Sequence, residues 1–208
     1  MVNGTKEHGF SLLELLVALG VMTIVMGTVF ELLNRFQMAY RYEEAYTDAQ
    51  RNARFAVGRV NEIMRSAGTH PTGTTTVNAA NFLLFLNSSG SVISGVGPVS
   101  SSSIRLKADL DGDGLFNTRV SSNSDVIVTS EDVTLQLVGD QMMLTDNTTT
   151  AKTQVPIAEG ISAVTFSDPD GSRRDIEVVV SARPFGIAAD DPRYREVTYT
   201  SNIRIRNR

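Results

Sequence analysis

An unbroken apolar segment near the N-terminus constrains most strongly what this chain can fold into. Residues 15–30 read LLVALGVMTIVMGTVF and contain neither a charged residue nor a proline. With residues 10–13 before it and residues 32–33 after it, the segment reaches the roughly 20 residues that a helix needs to cross a hydrocarbon core. The pattern therefore predicts a membrane-spanning helix over residues 10–33.

The charges around this segment are not those of a secretory signal peptide. Residues 1–9 are polar and carry one lysine and one glutamate, so the basic leader of a signal peptide is missing. A carboxylate such as Glu14 costs roughly 2.5–3.5 kcal/mol at the centre of a membrane helix, so it requires a cationic partner. Cleavage between Gly9 and Phe10 would supply one, because the new α-amino group would lie one helical turn from Glu14 or near the Glu14 of a neighbouring copy.

The string GFSLLELLVALGVMTIVMG, residues 9–27, resembles the N-terminus of type IV pilins and pseudopilins. In that family a prepilin peptidase cuts after the glycine and methylates the exposed amine. The resemblance therefore implies a leader peptide of residues 1–9 and a methylated Phe10. It also implies that Glu14, the fifth residue of the mature chain, neutralises a neighbouring subunit's amine during assembly. The leader departs from the family pattern because it is not clearly basic.

The helical pattern continues beyond the apolar segment, with no proline before Pro71. Apolar residues recur at three- and four-residue spacing, which is typical of an amphipathic helix. We predict one helix from about Phe10 to about Ala67, with an amphipathic half over residues 34–68 and Gly68 at its C-cap. Small residues without a sustained heptad favour packing on a sheet over a coiled-coil seam. The stripe consists of Ala49, Ala53, Ala56, Val60, Ile63 or Met64, and Ala67.

Residues 69–208 show the short alternating patterns of β-strands and form the predicted head. The last pattern, 197–205, alternates along its whole length, and the Asp-Pro-Asp-Gly sequence of residues 168–171 predicts a turn. The expected fold class is α+β, with a long N-terminal α-helix packed on an antiparallel β-sheet head, which is similar to the pilin architecture. The predicted strands cover residues 82–86, 104–108, 126–129, 133–138, 142–145, 161–166, 176–182 and 197–205.

Composition argues against several function classes. Lys+Arg 19 against Asp+Glu 23 gives a net charge of −4, whereas a polyanion binder needs a basic surface, so no nucleic-acid partner is predicted. The absence of cysteine excludes a thiolate nucleophile and a cysteine-ligated metal. No serine hydrolase elbow and no serine–lysine motif occurs, so we predict that the chain is not an enzyme.

An acidic loop is the one candidate cofactor site. Asp109, Asp111 and Asp113 occupy positions one, three and five of a DLDGDG sequence, with glycine at position six, an arrangement that can wrap a Ca²⁺ ion. The carbonyl of Leu115 and the side chain of Asn117 are the candidate ligands at positions seven and nine. Valine replaces the bidentate glutamate of position twelve, and an Asp/Gly-rich hairpin turn is the alternative. We predict weak Ca²⁺ binding, with a dissociation constant of roughly 10⁻⁴–10⁻³ M.

The segment DAQRNARFAVGRVNEIMRSAG, residues 48–68, and the order of the elements are similar to PilW-type minor pilins and to the related J-type pseudopilin of type II secretion. The resemblance implies a minor pilin that takes part in pilus assembly or priming. The implied partners are prepilin peptidase, other major and minor pilins or pseudopilins, and an inner-membrane assembly platform. The implied location is the bacterial inner membrane, with the head in the periplasm, and then the pilus or pseudopilus filament.

Two alternatives remain open at this point. A J-type minor pseudopilin would use the same N-terminal residues for protein secretion. A membrane-anchored calcium-dependent adhesin, a protein of another class, would bind its target through the head and would not require Glu14.

Overall fold

The computed structural model describes residues 11–68, 82–94, 97–109, 131–148, 151–188 and 190–205. Within these ranges the chain forms a helix, α1, over Leu12–Ser66, followed by nine β-strands. Contacts divide the chain into two units, Met1–Glu44 and Ala45–Arg208. The predicted leader peptide, residues 1–9, lies outside the described residues.

In the first unit, α1 begins directly after Ser11. The carbonyl of Ser11 accepts hydrogen bonds from the backbone N–H groups of Glu14 at 3.0 Å and Leu15 at 3.2 Å. Threonine hydroxyls within the apolar segment bond to the helix itself, with Thr23 donating to the carbonyl of Leu19 at 2.8 Å. The segment therefore satisfies this polar group internally, as a helix in lipid must.

In the second unit, α1 buries the predicted stripe. Every residue of the stripe is buried, and Ala53, Ala56, Val60 and Met64 have 0% of their surface exposed. Most of the stripe is alanine, so the helix backbone can approach the strands closely. The predicted amphipathic helix and its sheet-packing face are confirmed.

Gly68 ends the helix, as predicted. Its φ of +74° is unfavourable for residues with a side chain. A Cβ atom at this position would lie 2.7 Å from the Phe82 ring. The N–H of Gly68 donates to the carbonyl of Lys107 at 2.9 Å, which ties the helix end to a strand.

The strands form two antiparallel sheets. The first sheet has the order β1-β3-β4-β5-β6 and the second has the order β2-β7-β8-β9. Their shared core contains buried side chains from both sheets and from α1, including Phe85, Phe166 and Met64. The strands are β1 Leu83–Leu86, β2 Val99–Ser101, β3 Ser103–Lys107, β4 Asp132–Val138, β5 Gln141–Asp146, β6 Gln154–Glu159, β7 Ile161–Asp168, β8 Asp175–Ala182 and β9 Val197–Arg204.

The predicted fold class is confirmed, but the strands are divided between two sheets instead of the single sheet expected from the sequence. The sequence patterns missed β2, which has three residues, and β6, which contains Pro156 and is only partly buried. Neither strand carries enough alternating apolar residues to be detected. The predicted strand over 126–129 lies outside the described residues.

Strand β9 packs its alternating face on α1. The Nε of Arg54 donates to the Tyr199 hydroxyl at 2.6 Å, and its guanidinium lies 5.2 Å from the centre of that ring. About two turns further along α1, the Nδ2 of Asn61 donates to the Ser201 hydroxyl at 3.1 Å. The odd-numbered residues of β9 are partly or fully buried and the even-numbered ones are exposed, which confirms the predicted alternation.

The predicted turn over residues 168–171 joins β7 to β8. Gly171 has a φ of +72°, and a Cβ atom there would lie 2.9 Å from the Gly97 backbone. Asp168 is fully buried and accepts the N–H of Arg173 at 3.0 Å. Burial raises the pKa of the Asp168 carboxyl above its ordinary value, against the opposing effect of this hydrogen bond.

Candidate functional site

The candidate assembly site lies at the start of α1. Glu14 is in the first turn of the helix, and its side chain is exposed. The backbone N–H groups of a helix N-terminus give that end a partial positive charge, which favours a carboxylate at this position. An exposed carboxylate here can accept a charge-assisted hydrogen bond from an ammonium group. Gly9 and Phe10, the predicted processing residues, lie outside the described residues.

The helix surface around Glu14 is almost entirely apolar. Every residue from 11 to 41 is exposed. The large apolar side chains of this stretch expose from 43% of their surface, at Val29, to 80%, at Leu12. The helix is long and apolar enough to cross a membrane. An apolar surface of this extent marks contact with lipid or with other protein.

Glu31 and Arg35 form an ion pair at the end of this segment that the sequence patterns did not single out. One guanidinium nitrogen of Arg35 lies 2.5 Å from a carboxylate oxygen of Glu31. The spacing of four residues, with the acid first, is the sequence signal that could have predicted it. The pair leaves the helix surface without net charge at the point where the apolar segment ends.

The structure describes only one residue of the predicted calcium loop. Asp109 follows β3 and is 1% exposed. Asp111, Asp113, Leu115 and Asn117 lie outside the described residues. Within the described ranges, no group of three or more histidine, aspartate or glutamate residues is placed to hold a metal ion. Calcium binding by this loop stays a prediction.

A polar network holds β3 against β4. Asp132 is nearly buried and accepts two hydrogen bonds from the Arg105 guanidinium, at 2.7 and 2.6 Å. The side chain of Asn147 donates to the same carboxylate at 3.0 Å, and the Nζ of Lys107 lies 3.9 Å from it. The hydrogen bonds to Asp132 raise the pKa of Arg105 above its ordinary value, although burial acts in the opposite direction.

The network has a structural role that the sequence did not predict. Its four members come from three stretches of the chain. The register that places Lys107 opposite Asp132 and the pairing of β4 with β5 bring these stretches together. A bidentate arginine–carboxylate pair of this kind fixes strand geometry as well as contributing energy. It is a structural network and contains no recognisable nucleophile.

The N-terminal residues match a known protein family model. Residues 4–30 match the model described as the prokaryotic N-terminal methylation motif. The match includes Gly9, Phe10 and Glu14 within its range. It covers the start of α1 and does not extend into the strands. No curated protein and no solved structure matches this chain significantly.

The motif and the helix agree in what they indicate. Proteins of the pilin-motif family are structural and not enzymatic. The part of the motif that the structure describes, residues 11–30, belongs to an exposed apolar segment that fits a membrane anchor. The N-terminal methylation motif therefore supports the identification of this chain as a type IV pilin-like or pseudopilin protein.

Proposed function

We propose that this chain is a PilW-like minor pilin that takes part in the assembly or priming of a type IV pilus. The observation that carries the proposal is the methylation motif over residues 4–30, followed by an exposed apolar helix with Glu14 in its first turn. Helices of this kind can pack side by side and bury the surface that lipid covers before assembly.

In the proposed sequence of events, prepilin peptidase removes residues 1–9 and methylates the new amine of Phe10. Glu14 then accepts the amine of a neighbouring subunit. The pairing is strong because both charges lie among apolar side chains, where the effective dielectric constant is low. A Glu14 carboxylate without this partner would be unfavourable among apolar side chains. Assembly therefore favours the offset between neighbouring helices that pairs Glu14 with the amine.

The proposal assigns a different role to each of three segments of the chain. Residues 10–33 would form the membrane and filament-core helix, residues 34–68 the amphipathic helix, and residues 69–208 a periplasmic and then extracellular head. Because Glu14 is retained, we place the subunit inside the tip or priming complex and not at its outermost position. This placement follows the analogy with minor pilins.

N-terminal mass spectrometry of the mature protein tests the proposal directly. The chain is produced in cells with an active prepilin peptidase, and the expected N-terminus is methylated Phe10. Gly9→Leu is expected to block cleavage and leave Met1 in place, whereas Gly4→Leu, a change within the same leader, is the matched control and should leave processing intact. An intact Met1 in the wild-type protein would overturn the assignment.

Deletion of the gene that encodes this chain distinguishes a minor pilin from a J-type pseudopilin. The proposal predicts loss of twitching motility and of surface pili, with protein secretion unchanged. Loss of type II secretion with normal twitching would favour the J-type pseudopilin instead.

A further inference from the structure

Aromatic side chains are distributed unevenly along α1. Residues 11–29 contain none, whereas residues 30–46 contain five. Three of these are exposed in the first unit: 67% of Phe30, 62% of Phe36 and 70% of Tyr40. Exposed aromatic residues that begin where an apolar helix ends are typical of the boundary between lipid and water.

The positions of these residues match the layers of a bilayer. Residues 15–33, the apolar part of the helix, extend about 28 Å at 1.5 Å per residue, close to the roughly 30 Å of a hydrocarbon core. Phe36 then lies about 4.5 Å beyond Leu33 along the axis, within the headgroup layer, and Tyr40 about 10 Å beyond it. Phe30 lies just inside the hydrocarbon boundary.

The charges of this stretch are compatible with the headgroup layer. Glu31 and Arg35 neutralise each other at 2.5 Å, so they add no net charge at this depth. One shallow groove on the helix surface is lined by Phe36, Gln37, Tyr40, Arg41 and Glu44, so its one cationic side chain is balanced by one carboxylate. A ring pair with a guanidinium beside it offers apolar contact to acyl chains and a hydrogen-bond donor to lipid phosphate.

We propose that Phe36 and Tyr40 form an aromatic anchor that lies in the headgroup layer of a phospholipid bilayer and, with Phe30 just inside the hydrocarbon boundary, sets the depth of the unassembled subunit. The lipid-bound part of the chain then extends about two helical turns beyond Leu33. This inference rests on the proposed function, because it requires the chain to be inserted in a membrane. The occupant of this helix face is lipid, and a neighbouring subunit's helix is the competing outcome.

Tryptophan fluorescence tests the anchor because the chain contains no tryptophan. The full-length Phe36→Trp variant is reconstituted at low protein density into phosphatidylethanolamine–phosphatidylglycerol vesicles that carry bromine either near the headgroup or near the end of the acyl chain. Quenching is expected to be several times stronger with the shallow bromines than with the deep ones. Phe55→Trp is the matched control, since Phe55 is 60% exposed on α1 but lies in the second unit, and it should be quenched by neither lipid.

The outcomes distinguish the anchor from the proposed function. A protein that does not float with vesicles would contradict membrane insertion, and with it the proposed function. A protein that floats but whose Phe36→Trp reporter is as weakly quenched as Phe55→Trp would overturn the anchor alone. Quenching that is stronger with the deep bromines than with the shallow ones would also overturn it.

Discussion

Two kinds of surroundings, apolar helix surface and packed protein core, constrain single residues of this chain. Glu14 is an exposed carboxylate in the first turn of α1 and is followed by sixteen residues without charge. Gly68 has a positive φ and lies against the Phe82 ring. Glu14 limits what the helix surface can contact, and the conformation at Gly68 limits which residue can end the helix.

Replacement of Glu14 by alanine is expected to prevent incorporation into filaments. The variant leaves the neighbouring subunit's amine buried without its carboxylate partner, which costs about 3–5 kcal/mol. The amount of subunit in sheared filament fractions should therefore fall by more than about tenfold. Glu31→Ala is the matched control, because the Glu31 carboxylate already has Arg35 as its partner. Incorporation of Glu14→Ala at the wild-type level would contradict the assembly mechanism and favour the adhesin alternative.

Replacement of Asp111 by alanine is expected to remove calcium binding. The loss of one carboxylate from a weak site of roughly 10⁻⁴–10⁻³ M should leave no measurable affinity. Isothermal titration of the full-length protein in detergent with Ca²⁺ provides the measurement, and Asp175→Ala, a change at an exposed aspartate of β8, serves as the control. The hairpin-turn interpretation holds if wild type and Asp111→Ala give the same heats.

Replacement of Gly68 by alanine is expected to destabilise the second unit. The left-handed conformation alone costs a residue with a side chain roughly 1–2 kcal/mol, and the overlap with Phe82 adds to this. Gly90→Ala is matched in conformation, with a φ of +77°, but has open space around the added Cβ. Denaturant unfolding should therefore show a larger loss for Gly68→Ala. Equal losses would mean that the Phe82 contact contributes nothing.

At the scale of elements, the single helix α1 performs two tasks. The first part of α1 exposes every side chain, whereas its later turns bury a narrow, mainly alanine stripe against the strands. Small side chains allow close approach, and polar contacts such as that between Arg54 and Tyr199 align β9 along the helix. Packing on the strands depends on side-chain size, whereas the exposed apolar surface depends mainly on hydrophobicity.

Enlargement of the stripe is expected to destabilise the helix–sheet contact. Ala53→Leu adds volume at a fully buried position and should lower the free energy of unfolding by about 1–3 kcal/mol. Gly58→Ala changes the opposite face of the same helix, where nothing lies within 4 Å of the added Cβ. This variant should raise the free energy of unfolding by about 0.5–1 kcal/mol. Chemical denaturation of both variants measures the difference, and a neutral Ala53→Leu would contradict the packing argument.

Stability is concentrated in the second unit of the molecule. Among the described residues, the buried apolar core begins at Ala49, and the strands that complete it all follow in the chain. The first unit contributes an exposed helix surface and no part of that core. Anchoring and folding therefore depend on different stretches of the chain.

Removal of residues 1–33 is expected to leave the folding of the head unchanged. The truncated chain, residues 34–208, should be soluble without detergent and should unfold at the same denaturant midpoint as the full-length protein, because the deleted residues are not in its core. Circular dichroism during urea titration provides the measurement. A midpoint lowered by the truncation would show that the first part of α1 stabilises the head.

What the sequence alone could determine is local. Hydrophobic periodicity predicted α1 to within two residues of each observed end, and the alternation of residues 197–205 predicted β9 and its buried face. The glycine, aromatic and glutamate at residues 9, 10 and 14 indicated the methylation motif that the family model matches. These features depend on residues close together in the chain, so a short stretch of sequence contains all the information they need.

Only the tertiary structure decided how distant segments combine. The division of the strands into two sheets, the pairing of β6 despite Pro156, and the contact of Arg105 with Asp132 all depend on strand register. Register is selected by the packing of both sheets and α1 around one core, and one sequence segment does not record its partners. Local pattern therefore determined the elements and the N-terminal signal, whereas long-range packing determined the architecture of the head.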